Sequence, residues 1–231
     1  MNEVKAKPGA AEVDTYSEGA RNILQAAEQL FAGQGFDAVS IQAVAQNAGV
    51  SKANVFHHFG SKEGLYLAVL RSVCQRAAPL LQALVKEGEE FPARLDHFAK
   101  AHLAYLLAHP GTMRLLLREL LESDARRGQE LADQAVGENF TRLIGILREG
   151  QRRGELRAAV DPAIAAALLV GADVFLFQAR PVLRHLKGVG FADAPERYSE
   201  GLVDILLHGL LAPKDEAPKI PNIESQGCHQ P

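Results

Sequence analysis

Apolar residues recur every three or four positions along almost the whole of this 231-residue chain. In an α-helix such spacing places the apolar side chains on one face, whereas a half-buried strand would alternate apolar and polar residues. The chain has no convincing alternating segment, and its few Val/Ile-rich spots are too short or too well capped to be strands. The pattern therefore predicts an all-α protein, with disordered ends at 1–14 and 212–231, which lack periodicity.

The composition excludes several classes of protein. Hydrophobic residues make up 47% and charged residues 23%, as in ordinary globular proteins. No run approaches the roughly 18 apolar residues of a membrane span, and no secretory signal opens the chain, so we expect a cytoplasmic protein without membrane contact. The formal net charge of −3 argues against a general nucleic-acid coater. It still permits DNA binding at one end, because attraction to phosphate is local and screened beyond about 8 to 10 Å.

Helix boundaries can be assigned from capping residues and glycines. Thr15 with Glu18 three positions later forms a capping box, and Gly33 and Gly35 end the run, which predicts a first helix over about 16–33. Asp161 followed by Pro162 predicts another helix start, as does Asp193 followed by Glu196. Beyond residue 61 we predict helices over about 62–86 (with a possible kink at Pro79), 91–108, 111–122, 126–153, 162–187 and 195–211.

Two short helices between residues 40 and 60 predict a helix-turn-helix. Ser40 can cap the first, which Gly49 ends, and Ser51 caps the second, which closes at Gly60. The first helix of such a pair braces the second, so that the second can enter the DNA major groove. We therefore assign 15–60 to a DNA-binding domain, followed by a larger helical domain over 61–211.

Hydrogen-bond donors are concentrated in the second of these helices. Val55 and Phe59 lie one turn apart and can anchor it, which leaves the polar positions facing outward. Asparagine can bond bidentately to adenine, lysine can reach guanine or phosphate, and a small alanine allows close approach to the groove. Lys62 opens the next helix, where free backbone N–H groups also favour phosphate. The predicted DNA contacts are Ser40, Ser51, Lys52, Ala53, Asn54, His57, His58 and Lys62. A pure capping role is the alternative for Ser40, and an ordinary solvated surface is the alternative for Asn54 and His57.

The segment GARNILQAAEQLFAGQGFDAVSIQAVAQNAGVSKANVFHHFGSKEGLYLAVL resembles the DNA-binding domain of the TetR family of bacterial regulators. The resemblance implies that the third helix reads the major groove and that Phe56, His57, His58 and Lys62 clamp phosphates. Tyrosine is usual in the family at the position of Phe56. Because phenylalanine lacks the hydroxyl, we expect only an apolar contact there.

The same resemblance implies a homodimer formed by the last two helices, 162–187 and 195–211. The first of them is apolar nearly all round and rich in alanine, so it needs cover on several sides. A second subunit or an intramolecular core could supply that cover. Two recognition helices in a dimer require an inverted-repeat operator, with half-sites about one helical turn apart.

An effector site is implied within the helical remainder, and the sequence offers only candidates for it. Phe98, His102 and Tyr105 share one helix face, while Asp173, Phe177 and Gln178 occupy an otherwise apolar helix. Asp173 could bind an effector, pair with Arg180 or lie at the dimer edge. Arg114 and Arg118, one turn apart, could hold an anionic effector or form a solvated basic face.

Catalytic and metal-binding motifs were not found. The eight histidines lack metal-ligand spacing, and GxSxG, P-loop and dinucleotide fingerprints are missing, so we expect no enzyme activity, cofactor or metal. Cys74 and Cys228 form no disulfide framework. For Cys74 we favour the role of a small packed residue over that of a redox sensor. The sequence predicts a repressor released from its operator by a small molecule. The alternative is a helical DNA-binding protein without an effector, controlled by a protein partner.

Overall fold

The computed structural model describes residues 16–122 and 124–208, and this part of the chain is helical without a strand, which confirms the all-α fold. The predicted Thr15 cap, the predicted disordered ends, Cys228 and residues 209–211 lie outside the described residues. The helices are α1 (Glu18–Gln34), α2 (Ile41–Asn47), α3 (Lys52–Phe59), α4 (Lys62–Ala77), α5 (Phe91–Ala108), α6 (Pro110–Glu122), α7 (Ala125–Leu131), α8 (Gly137–Arg152), α9 (Pro162–Leu183) and α10 (Pro195–His208).

Serine side chains cap the first four helices. The hydroxyls of Ser40 and Ser51 accept N–H bonds from Ala43 and Asn54, both at 3.1 Å, as the sequence predicted. At α1 the observed cap is Ser17, whose hydroxyl accepts from the backbone N–H of Ala20. These caps fix where α2 and α3 begin, and hence the angle of the turn between them.

One apolar cluster holds α1, α2 and α3 against α4. Ile23 and Phe31 of α1, Val44 of α2 and Val55 of α3 are all buried in it, together with Tyr66 of α4. The same cluster also takes in residues from later elements, namely Leu115, Leu131 and Ala135. The core of the helix-turn-helix is therefore continuous with the helices that follow.

Two of the predicted long helices change their winding. Instead of running to residue 86, α4 ends at Ala77 and a 3₁₀ helix continues over Ala78–Val85. Pro79 explains this, because it has no N–H to donate and its ring clashes with the preceding turn of an α-helix. The predicted 126–153 helix is interrupted by a π-helix over Ala132–Val136. Gly137 suits that turn, since a Cβ there would lie 2.1 Å from the carbonyl oxygen of Ala132.

The last two helices differ from prediction at their ends. Asp161 caps α9 as predicted, but the helix stops at Leu183, where the chain turns through short-range bonds such as His185 N–H to Val182 O. Asp193 does not directly precede α10: it ends a 3₁₀ helix over Gly190–Asp193, and its carboxylate accepts a hydrogen bond from Arg184 at 2.7 Å. In the described part of the chain, α9 alone has the length and mean hydropathy, 1.8, to cross a membrane, a test that core helices also pass.

Candidate DNA-binding surface and effector cavity

Helix α3 is held by one side and exposed on the other. Val55 is buried and Phe59 is half-buried against the apolar cluster, with the Tyr16 ring 6.1 Å from that of Phe59. The contact of Tyr16 was not anticipated from the sequence. The structure leaves the side chains predicted to touch DNA on the surface: Ser40, Ser51, Lys52, Ala53, Asn54, Phe56, His57 and His58 are exposed and Lys62 is half-exposed. They lie at the start of α2, along α3 and at the start of α4.

Lys62 is positioned by the loop before α2. Its ammonium donates to the carbonyl oxygen of Asp37 at 3.2 Å and lies 4.4 Å from the centre of the Phe36 ring. These contacts limit the freedom of a long side chain that would otherwise be disordered in solvent. The positive charge is thus held where α4 begins, next to the end of α3.

The capping serines keep a hydrogen-bond donor for other partners. The oxygens of Ser40 and Ser51 accept backbone N–H bonds, and each hydroxyl still carries a hydrogen that it can donate. Capping and DNA contact are therefore compatible at both residues. Phe56 offers no such donor; its ring is exposed, with the Lys52 ammonium 5.7 Å from its centre.

An apolar cavity of about 170 Å³ lies within the helices that follow. An engineered apolar cavity of about 150 Å³ is enough to take benzene. The polar or weakly polar side chains in its wall are Cys74, His102, Tyr105 and Asn139. The rest of the wall is apolar and comes from α4 to α9: Val73, Ala77, Leu80, Leu81, Phe98, Leu106, Met113, Leu116, Leu117, Leu120, Val136, Phe140, Leu143, Val170 and Val174.

The structure separates the predicted effector residues into two groups. Phe98, His102 and Tyr105 line the cavity, and Phe177 packs in the adjoining apolar cluster. Asp173 lies behind His102 and is fully buried. The remaining three, Arg114, Arg118 and Gln178, are exposed and outside the cavity wall. The Arg118 guanidinium instead packs against Gly35, in the loop after α1.

The pairing suggested for Asp173 is corrected by the structure. Its Oδ2 lies 2.7 Å from Nδ1 of His102, whereas Arg180 donates to the carbonyl oxygen of Ala192. Burial raises the pKa of the Asp173 carboxyl, and the neighbouring imidazole opposes that rise. The sequence placed His102 and Asp173 in separate helices and gave no signal that the two would meet.

Several residues of the cavity wall were missed by sequence reasoning. Cys74, Met113, Leu117, Asn139 and Val174 are examples. Four of them are apolar or weakly polar and have helical spacing, which marks a packed core and a cavity wall alike. Asn139 was the one detectable signal, an amide on an apolar face; it donates to the carbonyl oxygen of Cys74 at 2.6 Å. Among residues 16–122 and 124–208, no group of His, Cys, Asp or Glu could hold a metal ion.

Comparison with known proteins identifies the class. Residues 23–69 match the model for bacterial regulatory proteins of the tetR family. Residues 89–216, over half of the chain, match the tetracyclin repressor-like C-terminal domain. The chain therefore belongs to the TetR family. It is a DNA-binding transcription regulator with a ligand-binding C-terminal domain, and not an enzyme.

The chain is similar to two curated relatives at comparable levels. The nucleoid occlusion factor SlmA of Marinomonas sp. (strain MWYL1) is 26% identical over 148 residues, which are 64% of this chain and 75% of that protein. The HTH-type transcriptional regulator UidR of Escherichia coli K12 is 26% identical over 152 residues, covering 64% and 74%. Among solved structures, the FadR regulator from Bacillus subtilis in complex with stearoyl-CoA has a TM-score of 0.66 at 18% identity, over 83% of this chain and 99% of that one. This last likeness concerns the fold alone.

Proposed function

We propose that this regulator is a homodimeric repressor that leaves an inverted-repeat operator when an apolar small molecule fills the cavity. The observation that carries the proposal is the exposed polar face of α3, whose opposite side is anchored by buried Val55. A helix held in this way can present Asn54 and Lys52 to base edges without having to order itself on binding. Ser40, Ser51, His57, His58 and Lys62 would contact phosphates around it.

An exposed apolar stripe on α9 supports the homodimer. Ile164, Leu168, Phe175 and Val182 are separated by four, seven and seven positions, so they share one face of the helix, and each is more than half exposed. Ile205 of α10 is also about half exposed. A contiguous apolar face of this kind is unfavourable in water and indicates an interface. We infer that α9 and α10 pair with the same helices of a second copy.

The position of α4 supports the coupling between effector and DNA. This helix begins immediately after α3, and its Val73, Cys74 and Ala77 line the cavity. A ligand that pushes α4 outward would tilt the attached recognition helix, and in a dimer this changes the spacing of the two heads. Allosteric coupling of about 1 to 3 kcal/mol is typical and would lower operator affinity by roughly 5- to 150-fold.

The wall of the cavity indicates the kind of effector. Its nearly continuous apolar lining would accept a hydrocarbon chain or ring and would disfavour an unpaired charge. The stearoyl-CoA bound by the Bacillus subtilis FadR carries such a chain, which is consistent with the proposal. The division into a DNA-binding domain over 15–60 and an effector and dimer domain over 61–211 belongs to the same proposal.

Binding to the regulator's own upstream intergenic DNA tests the repressor proposal. Fluorescence anisotropy should detect dimer binding that is selective over a shuffled duplex and weakens steeply as salt rises. Repression requires that a transcript from this promoter decrease when the protein is added in vitro. Failure to prefer any upstream sequence over the shuffled duplex, at low and moderate salt, would refute it.

Control by a protein partner is the second candidate. Leu121 of α6 is 81% exposed next to the half-exposed Leu120, and such a leucine pair outside the α9 stripe could dock a protein. The SlmA relative is a nucleoid occlusion factor by name, which also keeps this alternative open. A thermal-shift screen separates the two candidates, since an effector at 100 times its dissociation constant should stabilise the protein by about 2.7 kcal/mol.

A further inference from the structure

One pair of polar side chains, His102 in the wall of the cavity and Asp173 behind it, is not required by packing alone. His102 stacks on Phe98, with ring centres 5.6 Å apart, and turns Nδ1 toward the fully buried Asp173. Nε2 has no hydrogen-bond partner among the described residues. Because Nδ1 faces Asp173, Nε2 and the adjoining ring edge are what His102 offers to the cavity.

Charge balance at this buried pair favours a hydrogen on Nε2 of His102. Among the described residues, His102 is the one counter-charge acting on Asp173, and Oδ1 of Asp173 has no hydrogen-bond partner. A pair holding a single proton would therefore bury a net negative charge in an apolar setting, at a cost of several kcal/mol. The pair with two protons is neutral. Whether the shared proton lies on Oδ2 or on Nδ1, the second one is on Nε2, which is then a donor.

The other polar groups of the wall are tied to the backbone or donate only weakly. The Tyr105 hydroxyl donates toward the carbonyl oxygen of Val73 at 3.5 Å, and the Asn139 amide donates to that of Cys74. Cys74 keeps its proton, because burial raises its pKa to about 11. Among the described residues, Nε2 of His102 thus has no partner, whereas Asn139 is held through its amide and the Cys74 thiol is only a weak donor.

We propose that His102, positioned by Asp173, is the specificity-determining residue of the effector site and donates a hydrogen bond to the carbonyl oxygen of an uncharged, mainly apolar ligand. This inference rests on the proposed effector cavity. A ligand carboxylate fits less well, since it would bring an uncompensated charge into the neutral pair's surroundings. The cavity volume suits an aryl or short alkyl ketone, ester or amide.

A matched pair of probes tests the donor. Propiophenone and n-propylbenzene have nearly the same shape and differ by a carbonyl in place of a methylene. Calorimetric titration gives the ratio of their dissociation constants for the wild-type protein and for the double variant His102→Phe/Asp173→Leu. The double variant removes the donor without leaving a buried unpaired carboxylate, and such apolar replacements are often neutral or stabilising. Circular dichroism and thermal unfolding check that it folds.

Comparing the ratio between the two proteins cancels the difference in hydration between the probes, because that difference is the same for both proteins. We expect the preference for the ketone to fall by about tenfold in the double variant, the usual size for a lost hydrogen bond in a dry site. The infrared carbonyl band of ¹³C-labelled propiophenone should lie at lower frequency in the wild type than in the variant. If both proteins bind both probes with the same ratio and the same band, the donor role is overturned while the cavity proposal survives. If the wild type binds neither probe, both fall.

Discussion

The guanidinium of Arg76 lies 2.7 Å from the Glu28 carboxylate and so ties α4 to α1. The same carboxylate oxygen accepts a hydrogen bond from the Thr112 hydroxyl at 2.8 Å, which adds α6 to the contact. Arg118 of α6 also packs against Gly35 at the end of α1. The cavity-lining helices α4 and α6 are therefore joined to α1 by polar contacts as well as through the shared apolar core.

A double-mutant cycle measures the Arg76–Glu28 contact. Glu28→Ala, Arg76→Ala and the double variant should give an interaction energy of about 0.3 to 1 kcal/mol in urea unfolding, since both side chains are partly exposed and solvent screens the pair. Glu28→Ala combined with the distant, exposed Arg148→Ala should show additive changes. Additive changes in the Arg76 cycle would show that this pair does not link α4 to α1 energetically.

Lys62→Ala and Asn54→Ala should affect DNA binding in different ways. Loss of the Lys62 charge should weaken binding to every sequence and lower the slope of log affinity against log salt by about one per contact. Loss of the Asn54 amide should relax the preference at one base pair by about 1 to 3 kcal/mol. Titrations of operator and single-substitution duplexes at several salt concentrations make the measurement. Lys86→Ala is the control, because that side chain pairs with Glu89 away from α3. Identical effects of both changes on all sequences contradict the assigned roles.

Phe56→Tyr should strengthen DNA binding. The ring is 42% exposed, so the added hydroxyl costs no burial and supplies the donor that phenylalanine lacks. A neutral hydrogen bond to phosphate contributes about 0.5 to 1.5 kcal/mol, or roughly 2- to 12-fold in affinity. The salt slope should not change, because no charge is added. Unchanged or weaker affinity at every salt concentration would show that this ring does not face the backbone.

Phe175→Glu should dissociate the dimer. The side chain is 62% exposed in the centre of the α9 stripe, and a carboxylate there would be buried unpaired at the subunit contact. Sedimentation equilibrium should show a monomer, and operator affinity should fall because the two heads no longer act together. The matched control is Leu121→Glu, which adds the same charge at an exposed leucine outside the stripe. A Phe175→Glu protein that remains dimeric would place the interface elsewhere.

Cys74 should be unreactive until high pH. Burial raises the pKa of its thiol to about 11, above the value of about 8.5 for a thiol in an unfolded chain. The stabilisation from keeping the thiol protonated is full below pH 8.5 and is lost as pH rises through 11. In a Cys228→Ser background, iodoacetamide at pH 8.5 should alkylate the folded protein about a hundredfold more slowly than the urea-unfolded one. The free energy of unfolding should fall between these pH values, and less so after Cys74→Ala. Rapid alkylation of the folded protein would instead favour a redox role.

The sequence alone was sufficient to predict the helix-turn-helix and its exposed face. Caps at Ser40 and Ser51, glycines after each helix and the anchor Val55 are local signals, and each acts within a few residues of its position in the chain. The helix ends that were predicted wrongly lie where the α-helix gives way to another helix type. Pro79 tightened the chain into a 3₁₀ helix where only a kink was expected, and the π-helix at Ala132–Val136 left no trace in the apolar spacing.

The cavity proposed for the effector depended on tertiary structure. Helical periodicity shows which side of a helix turns inward but not which helices meet, so Phe98 and Tyr105 were found while Met113 and Asn139 were missed. The partner of Asp173 was likewise decided by packing, since His102 is 71 positions away and Arg180 was the nearer cation along the chain. Helix caps and apolar spacing depend on residues that are close together in the sequence. The meeting of a buried carboxylate with one imidazole at the edge of an apolar space follows only from how α5 and α9 pack.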